Sequence, residues 1–132
     1  MSHTSQTIHV LVIDDDEIAR EYMCDVLRKA GFHVDDMPSS IGVTSRVTRD
    51  HYNVVVIDVM MPAIRGDKLA TLLRKNPQLR NLGVVMVSGA PREELEQLGS
   101  EIDASRVVSK ANARTQLVDA VLRAYQERPE PK

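Results

Sequence analysis

The hydrophobic positions of this chain form short unbroken runs that alternate with longer amphipathic segments. The most regular run, residues 54–57, contains four β-branched residues and ends at Asp58. A run with no polar alternation is typical of a strand that is buried on both faces, as in the centre of a parallel sheet. Four more strands are predicted at residues 8–13, 32–37, 82–87 and 105–109, the first of these ending at an acidic triplet and the second lying nearer an edge because of its polar residues.

Apolar residues at helical spacing predict a helix after each strand. In the first helix the apolar stripe includes Tyr22 and Leu27, with Asp16 as the N-cap and Gly31 as the C-terminal stop. Cys24 lies off that stripe, so we expect it on a partly exposed face. The other helices are predicted at residues 39–49, 67–75, 91–98 and 117–125. Five strands alternating with five helices predict an α/β fold with a doubly wound parallel sheet.

Length and composition predict one domain over residues 1–132, with a core of about residues 8–127 and short tails. The hydrophobic fraction of 42%, the charged fraction of 27% and the net charge of −2 give no basic excess for nucleic acid or an anionic membrane. The single cysteine excludes an internal disulfide and fits a reducing compartment. No signal peptide is apparent, and no apolar run approaches the ~20 residues of a membrane span, so we expect a cytoplasmic protein.

Charged and polar residues stand at the carboxyl ends of four predicted strands. Asp14 and Asp15 follow the first strand, Asp58 the third, Ser88 the fourth and Lys110 the fifth. In a parallel sheet these ends face the same side, and a cluster of carboxylates there needs a compensating cation. Mg²⁺ suits a site with a few carboxylates. Together with the lysine and the hydroxyl, such a site would bind a phosphoryl group and stabilise its transfer to an aspartate nucleophile.

Each of these residues also has an ordinary structural interpretation. The aspartates at residues 14–16 could cap the following helix, and Asp58 could cap a turn before Pro62. Lys110 alone is typical of a solvated surface lysine, and Ser88 alone of a turn. Their joint occurrence at the strand ends favours the functional interpretation. The four histidines are scattered, and we assign them neither a metal nor a catalytic role.

The same residues make the chain resemble the receiver domains of two-component response regulators, in particular the stand-alone receivers of chemotaxis. The resemblance extends from Val10 to the last helix. It rests on Asp14-Asp15, on Asp58-Val-Met-Met-Pro62 with Gly66 after it, on Ser88-Gly89, and on Lys110. This resemblance implies a flavodoxin-like fold with the strand order 2-1-3-4-5.

The resemblance also implies roles for the acidic residues. Asp58 would accept a phosphoryl group from a sensor histidine kinase or a histidine phosphotransfer protein, forming an aspartyl phosphate. Asp15, Asp58 and the backbone carbonyl of Met60 would bind Mg²⁺ directly, and Asp14 would bind it through a water molecule. The chain would thus promote its own phosphorylation and dephosphorylation, without being a turnover enzyme on an external substrate.

Ser88 and Lys110 would bind the oxygens of the phosphoryl group. Two positions near them depart from the family pattern, because Val107 replaces the usual aromatic residue and Ala111 replaces the usual proline. The first departure predicts that a structural change at Ser88 is transmitted by backbone movement of residues 89–98. The second predicts a trans Lys110–Ala111 peptide, since a cis bond without proline costs ~2.5–4 kcal/mol. We expect Lys110 to face the acceptor nonetheless.

Two functions of different class stand at this point. The first is a phosphorylatable regulator that changes its binding partner through the face formed by the fourth helix, the fifth strand and the fifth helix. The second is a phosphorylation-independent interaction module on a receiver scaffold. The intact set of site residues favours the first, with no nucleic acid and no membrane as partner. A phosphatase of the aspartyl-phosphate type is disfavoured because it needs a second aspartate where Met60 stands.

Overall fold

The computed structural model of the chain describes residues 7–98 and 106–128. Within these residues, strands and α-helices alternate. They are β1 (His9–Ile13), α1 (Glu17–Lys29), β2 (His33–Met37), α2 (Val43–Asp50), β3 (Val54–Asp58), α3 (Gly66–Lys75), β4 (Gly83–Ser88), α4 (Arg92–Glu96), β5 (Val108–Ser109) and α5 (Ala113–Glu127). Two short 3₁₀ turns, Pro77–Leu79 and Lys110–Asn112, precede β4 and α5.

The strands form one parallel sheet in the order β2-β1-β3-β4-β5. This order confirms the predicted 2-1-3-4-5 arrangement, and β2 lies at an edge as its polar residues indicated. All five residues of β3 are buried, which matches a central strand covered by helices on both faces. Because every strand runs in the same direction, the strand ends that carry the acidic residues meet at one edge of the sheet.

Two apolar layers hold the helices against the sheet. Alternate residues of a strand point to opposite faces, so Val10 and Val54 pack with Leu117 of α5 in one layer. Leu11 and Val55 pack in the other layer with residues of α2 and α3. Burial of such side chains contributes about 1.5–3 kcal/mol each. The position of the carboxyl edge is therefore set by packing on both sides of the sheet.

The prediction for Cys24 was wrong. Cys24 is 2% exposed, and it belongs to the layer that packs α1 against the sheet. Tyr22, which the stripe placed inward, is 44% exposed. The buried face of α1 is thus rotated toward Cys24. The helix contacts β2 and α5 as well as β1, and these neighbours cover positions that a single apolar stripe does not mark.

Other boundaries shifted for local reasons. The second helix begins at Val43 instead of residue 39, because Gly42 adopts a left-handed conformation (φ 86°) before it. The fourth helix is shorter than predicted, with Pro91 as its N-cap. Only Val108–Ser109 of the predicted fifth strand is in β structure, and Ser105 lies outside the described residues. In the described part of the chain, none of the helices is both long and apolar enough to cross a membrane.

Candidate functional site

Two aspartates follow β1, and their environments differ. Asp14 is fully buried, and its N–H donates to the carbonyl of Met37 at 3.2 Å. Its Oδ1 accepts the N–H of Asp16 at 3.0 Å. Asp15 is exposed. Asp16 caps α1 as predicted, since its side chain accepts the N–H of Ile18. Of the acidic triplet, one carboxylate is therefore inside the sheet edge, one faces solvent and one is a helix cap.

Asp58 is the last residue of β3, and it is 4% exposed. Its Oδ1 accepts the N–H of Met60 at 3.2 Å. Both backbone polar groups of the next residue, Val59, are hydrogen-bonded. Its N–H donates to the carbonyl of Val87 at 2.9 Å, and its carbonyl accepts the N–H of Gly66 at 2.8 Å. The acceptor candidate thus lies at the end of a strand whose following backbone is fixed by β4 and α3.

Lys110 links the two buried carboxylates. Its Nζ lies 2.7 Å from Asp14 Oδ2 and 3.3 Å from Asp58 Oδ2. No cis peptide bond occurs among the described residues, so the bond between Lys110 and Ala111 is trans, as predicted. A 3₁₀ turn takes the chain from Lys110 into α5, and Ser109 Oγ accepts the N–H of Ala111 at 3.3 Å. Lys110 therefore faces Asp58 without the proline.

Ser88 ends β4 at the same edge. It follows Val87, which is the register partner of Asp58, and its side chain is buried. Its Oγ accepts the N–H of Ala90 at 3.0 Å. The hydroxyl thus holds the first turn of the segment that leads into α4.

The acidic residues can hold a hard cation. One carboxylate oxygen from each of Asp14, Asp15 and Asp58 lies within 4.8 Å of the others. Asp14 Oδ2 is buried, and its contact with Lys110 lacks the geometry of a hydrogen bond. Among the described residues, Lys110 is paired with two of these carboxylates, Asp14 and Asp58. A set of carboxylate oxygens with one ammonium group leaves excess negative charge, which fits Mg²⁺.

Burial and neighbouring charges shift the pKa values of the two central groups. Burial raises the pKa of Asp58 to about 6, although Lys110 lowers it and Asp14 raises it further. For Lys110, burial lowers the pKa, but the carboxylates of Asp14 and Asp58 outweigh burial and the net pKa is raised. Lys110 is therefore a permanent cation, whereas the pKa of Asp58 lies well above that of an ordinary carboxyl.

Sequence reasoning missed Arg20. Its guanidinium donates to the backbone carbonyl of Asp14 at 2.8 Å and to the Asp36 carboxylate at 2.7 Å. Arg20 thereby ties α1 and the end of β2 to the backbone of the acidic pair. Asp36 is sixteen residues away in the sequence, and no spacing rule connects a helical arginine to a strand residue at that distance.

Comparison with known proteins identifies the family. The family model described as the response regulator receiver domain matches residues 10–122. The chain belongs to this family. Protein PilG of Pseudomonas aeruginosa is 23% identical over 121 residues, which cover 92% of this chain and 90% of PilG. Two further relatives, the transcriptional regulatory proteins GltR of Pseudomonas aeruginosa and PhoB of Klebsiella pneumoniae, are longer, and the chain spans about half of their length.

Solved structures have the same fold. A sensor protein from Polaromonas sp. JS666 is 26% identical, with a TM-score of 0.81 and coverage of 94% of this chain and 100% of that one. The response regulator TrrA from Thermotoga maritima, in complex with Mg²⁺-BeF, is 20% identical with a TM-score of 0.74, and the match covers 89% and 99% of the two chains. The described residues of this receiver domain therefore have the expected fold.

Proposed function

We propose that this receiver domain takes a phosphoryl group from a phosphohistidine donor onto Asp58 and thereby changes its binding to a partner protein. The observation that carries the proposal is the cluster at the sheet edge. Buried Asp58 has a second carboxylate, Asp14, and the Lys110 ammonium beside it. One carboxylate oxygen of Asp58 lies within 4.8 Å of one from Asp14 and one from Asp15, which is a spacing suited to a shared metal ion. The donor would be a sensor histidine kinase or a histidine phosphotransfer protein, and the compartment would be the cytoplasm.

The proposed step is a phosphoryl transfer. A carboxylate oxygen of Asp58 forms a bond to phosphorus while the bond between phosphorus and the imidazole nitrogen breaks, and the imidazole keeps the electron pair of that bond. Deprotonated Asp58 is the nucleophile. Burial raises the pKa of the metal-free carboxyl to about 6, and a cation bound beside it would favour the deprotonated form. Lys110 is close enough to Asp58 to neutralise charge on the phosphoryl oxygens.

Mg²⁺ would be held by Asp15, Asp58 and the Met60 carbonyl, with Asp14 acting through water, and when bound it would neutralise charge on the transferring group. The side chains around it have separate tasks. Arg20 fixes the backbone of Asp14, and the N–H of Met60 orients the carboxylate of Asp58. The relative TrrA, whose structure contains Mg²⁺-BeF, supports this assignment by analogy of fold.

Phosphorylation by a small phosphodonor tests the acceptor. Wild-type protein incubated with acetyl phosphate and Mg²⁺ should gain the mass of one phosphoryl group, and Asp58→Asn should gain none, because an amide is not a nucleophile. Asp16→Asn is the matched control, since asparagine caps a helix as well as aspartate does. Stoichiometric uptake by Asp58→Asn would contradict the assignment. Lack of uptake by the wild type would favour the phosphorylation-independent module instead.

Thermal unfolding tests the metal site. A ligand that binds only the folded state stabilises it by RT ln(1 + [L]/Kd), about 2.7 kcal/mol at a concentration of 100 Kd. Mg²⁺ should therefore raise the Tm of the wild type, and Asp15→Asn should abolish that shift. Asp16→Asn should keep it. An unchanged shift in Asp15→Asn would mean that the ion binds elsewhere.

The signal would reach a partner through α4, β5 and α5. Val59, next to the acceptor, packs with Leu95 of α4 and with half-buried Val107. Movement of Ser88 toward the phosphoryl group would release the N–H of Ala90, which its Oγ now accepts. Valine has one dominant rotamer and little reach, so the change should appear as backbone movement of the segment between β4 and α4.

Amide NMR spectra of the unphosphorylated and phosphorylated protein test this route. We expect shifts over residues 89–98 and a smaller response at Val107. A response confined to Val107, with residues 89–98 unchanged, would contradict the route.

The protein would promote this single phosphorylation and its reversal without turning over an external substrate.

A further inference from the structure

The loop between β3 and α3 carries the backbone carbonyl of Met60, which is one of the proposed metal ligands. The ends of this loop are fixed, because the backbone groups of Val59 are hydrogen-bonded to Val87 and to Gly66. In the described part of the chain, no hydrogen bond between backbone groups involves residues 61–64. The Met60 carbonyl directly precedes this stretch, so its position depends on what else holds the stretch in place.

A buried serine from a different loop holds it. Ser40 lies between β2 and α2 and is 3% exposed. Its Oγ accepts the N–H of Ile64 at 3.1 Å, although the two residues are twenty-four positions apart in the sequence. A backbone N–H that is shielded from water is costly to leave unpaired, so the hydroxyl satisfies a donor that the loop itself leaves unbonded. Among the described residues, Ser40 is therefore the hydrogen-bond partner of the backbone of residues 61–64.

The serine is itself held by the core. Its carbonyl accepts the N–H of Val43, the first residue of α2, at 3.4 Å. Val43 is fully buried in the apolar layer that also contains Met61, and Ile64 packs against the same layer. Ser40 thus connects the start of α2 to the loop that follows the acceptor strand.

We infer that Ser40 is a positioning residue for the metal site, and that it acts through the backbone of residues 61–64 on the Met60 carbonyl. This role rests on the proposed function, because Mg²⁺ at this site is part of that function. Ser40 is not itself a ligand of the ion, so it should set the affinity for Mg²⁺ and leave the rate unchanged once the site is filled. Groups that orient metal ligands from outside the site typically change metal affinity by about 10–100-fold.

Removal of the hydroxyl tests this role. Ser40→Ala should raise the Kd for Mg²⁺, measured by titration of the amide NMR spectrum, at least about tenfold. The Mg²⁺ concentration that gives half the maximal rate of phosphorylation by acetyl phosphate should rise equally, while the rate at saturating Mg²⁺ stays within about threefold of the wild type. In the metal-free protein, hydrogen exchange of the Ile64 N–H should be slow in the wild type and fast in the variant, because the acceptor is gone.

Ser39→Ala is the matched control. Ser39 is the neighbouring serine, and its Oγ also accepts a backbone N–H at 3.1 Å, that of Ile41. This second bond stays within the loop after β2 and does not reach residues 61–64. The control should therefore keep the Mg²⁺ affinity of the wild type within about twofold. An equal loss of affinity in Ser39→Ala would overturn the inference, because the whole loop after β2 would then be responsible.

Ser40→Cys separates the hydrogen bond from packing. A thiol fills nearly the same space but is a weak acceptor, so this variant should fold and should also lose Mg²⁺ affinity. Wild-type affinity in folded Ser40→Ala or Ser40→Cys would overturn the inference, as would fast exchange of the Ile64 N–H in the wild type. Failure of the wild type itself to bind Mg²⁺ would overturn the proposed function, and it would be seen before any substitution is made.

Discussion

Substitution of Gly66 by alanine is a sharp test of how the proposed acceptor, Asp58, is positioned. Gly66 is the first residue of α3, and it packs against the last peptide of β3. A Cβ at Gly66 would lie 2.2 Å from the carbonyl oxygen of Asp58 and 2.8 Å from Cγ2 of Ile57. An ordinary contact between such atoms is ~3.5–4.0 Å. Alanine must therefore displace the Asp58 backbone or the start of α3 by more than about 1 Å.

The displacement should affect the reaction more than the fold. Overpacking of this kind costs about 1–3 kcal/mol, which a domain with 5–15 kcal/mol of stability tolerates. A 1 Å misplacement near a reacting group costs on the order of 10²-fold in rate. We therefore expect Gly66→Ala to remain folded and to phosphorylate about 100-fold more slowly than the wild type.

The assay is the initial rate of phosphorylation by acetyl phosphate with Mg²⁺, followed by intact mass, with urea unfolding as the check on stability. Gly89→Ala is the control. Among the described residues, its Cβ would meet Lys110 Cδ alone, at 3.8 Å, which is an ordinary contact. We expect Gly89→Ala to react within about threefold of the wild type, because no backbone has to move. A folded Gly66→Ala protein that reacts at the wild-type rate would refute the reasoning.

Three further outcomes are expected. Lys110→Met should destabilise the metal-free protein by about 1–3 kcal/mol, because Asp14 and Asp58 lose their shared cation, and Mg²⁺ should restore most of the loss in thermal unfolding. Cys24, whose pKa is raised to about 11 by burial and by Asp36, should resist alkylation by iodoacetamide at pH 8 in the folded protein and react on unfolding. Fast alkylation of the folded protein would contradict its burial. Folding raises the pKa of Asp58 from 3.8 to about 6 in the metal-free protein, so the folded state binds a proton more tightly than the unfolded state does. The free energy of unfolding, measured in urea, should therefore be highest below pH 3.8 and should fall as the pH rises through about 6. Asp58→Asn should lack this decrease.

The site residues could be predicted because their positions follow from local rules. A strand that is buried on both faces appears in the sequence as an unbroken apolar run, so the end of β3 at Asp58 could be predicted. Parallel strands bring their carboxyl ends to one edge, and this rule alone groups Asp14, Asp58, Ser88 and Lys110. The trans peptide after Lys110 could be predicted for the same reason, since the cost of a cis bond depends on whether the next residue is proline.

Other features depend on residues that are distant in the sequence, and only the tertiary structure decided them. Cys24 is buried because α5 and β2 cover its side of α1, and a helical stripe does not record how many neighbours a helix will have. Arg20, on α1, donates hydrogen bonds to Asp36 of β2 and to the backbone carbonyl of Asp14 after β1. Five arginines that are spread over more than fifty residues of the sequence lie together around one groove beside β4, namely Arg74, Arg80, Arg106, Arg123 and Arg128. The sequence by itself determined which strand ends carry the acidic, hydroxyl and lysine side chains, because each strand end follows from its own local pattern. Burial, ion pairing and surface charge depend on contacts between distant segments, so they were decided by packing.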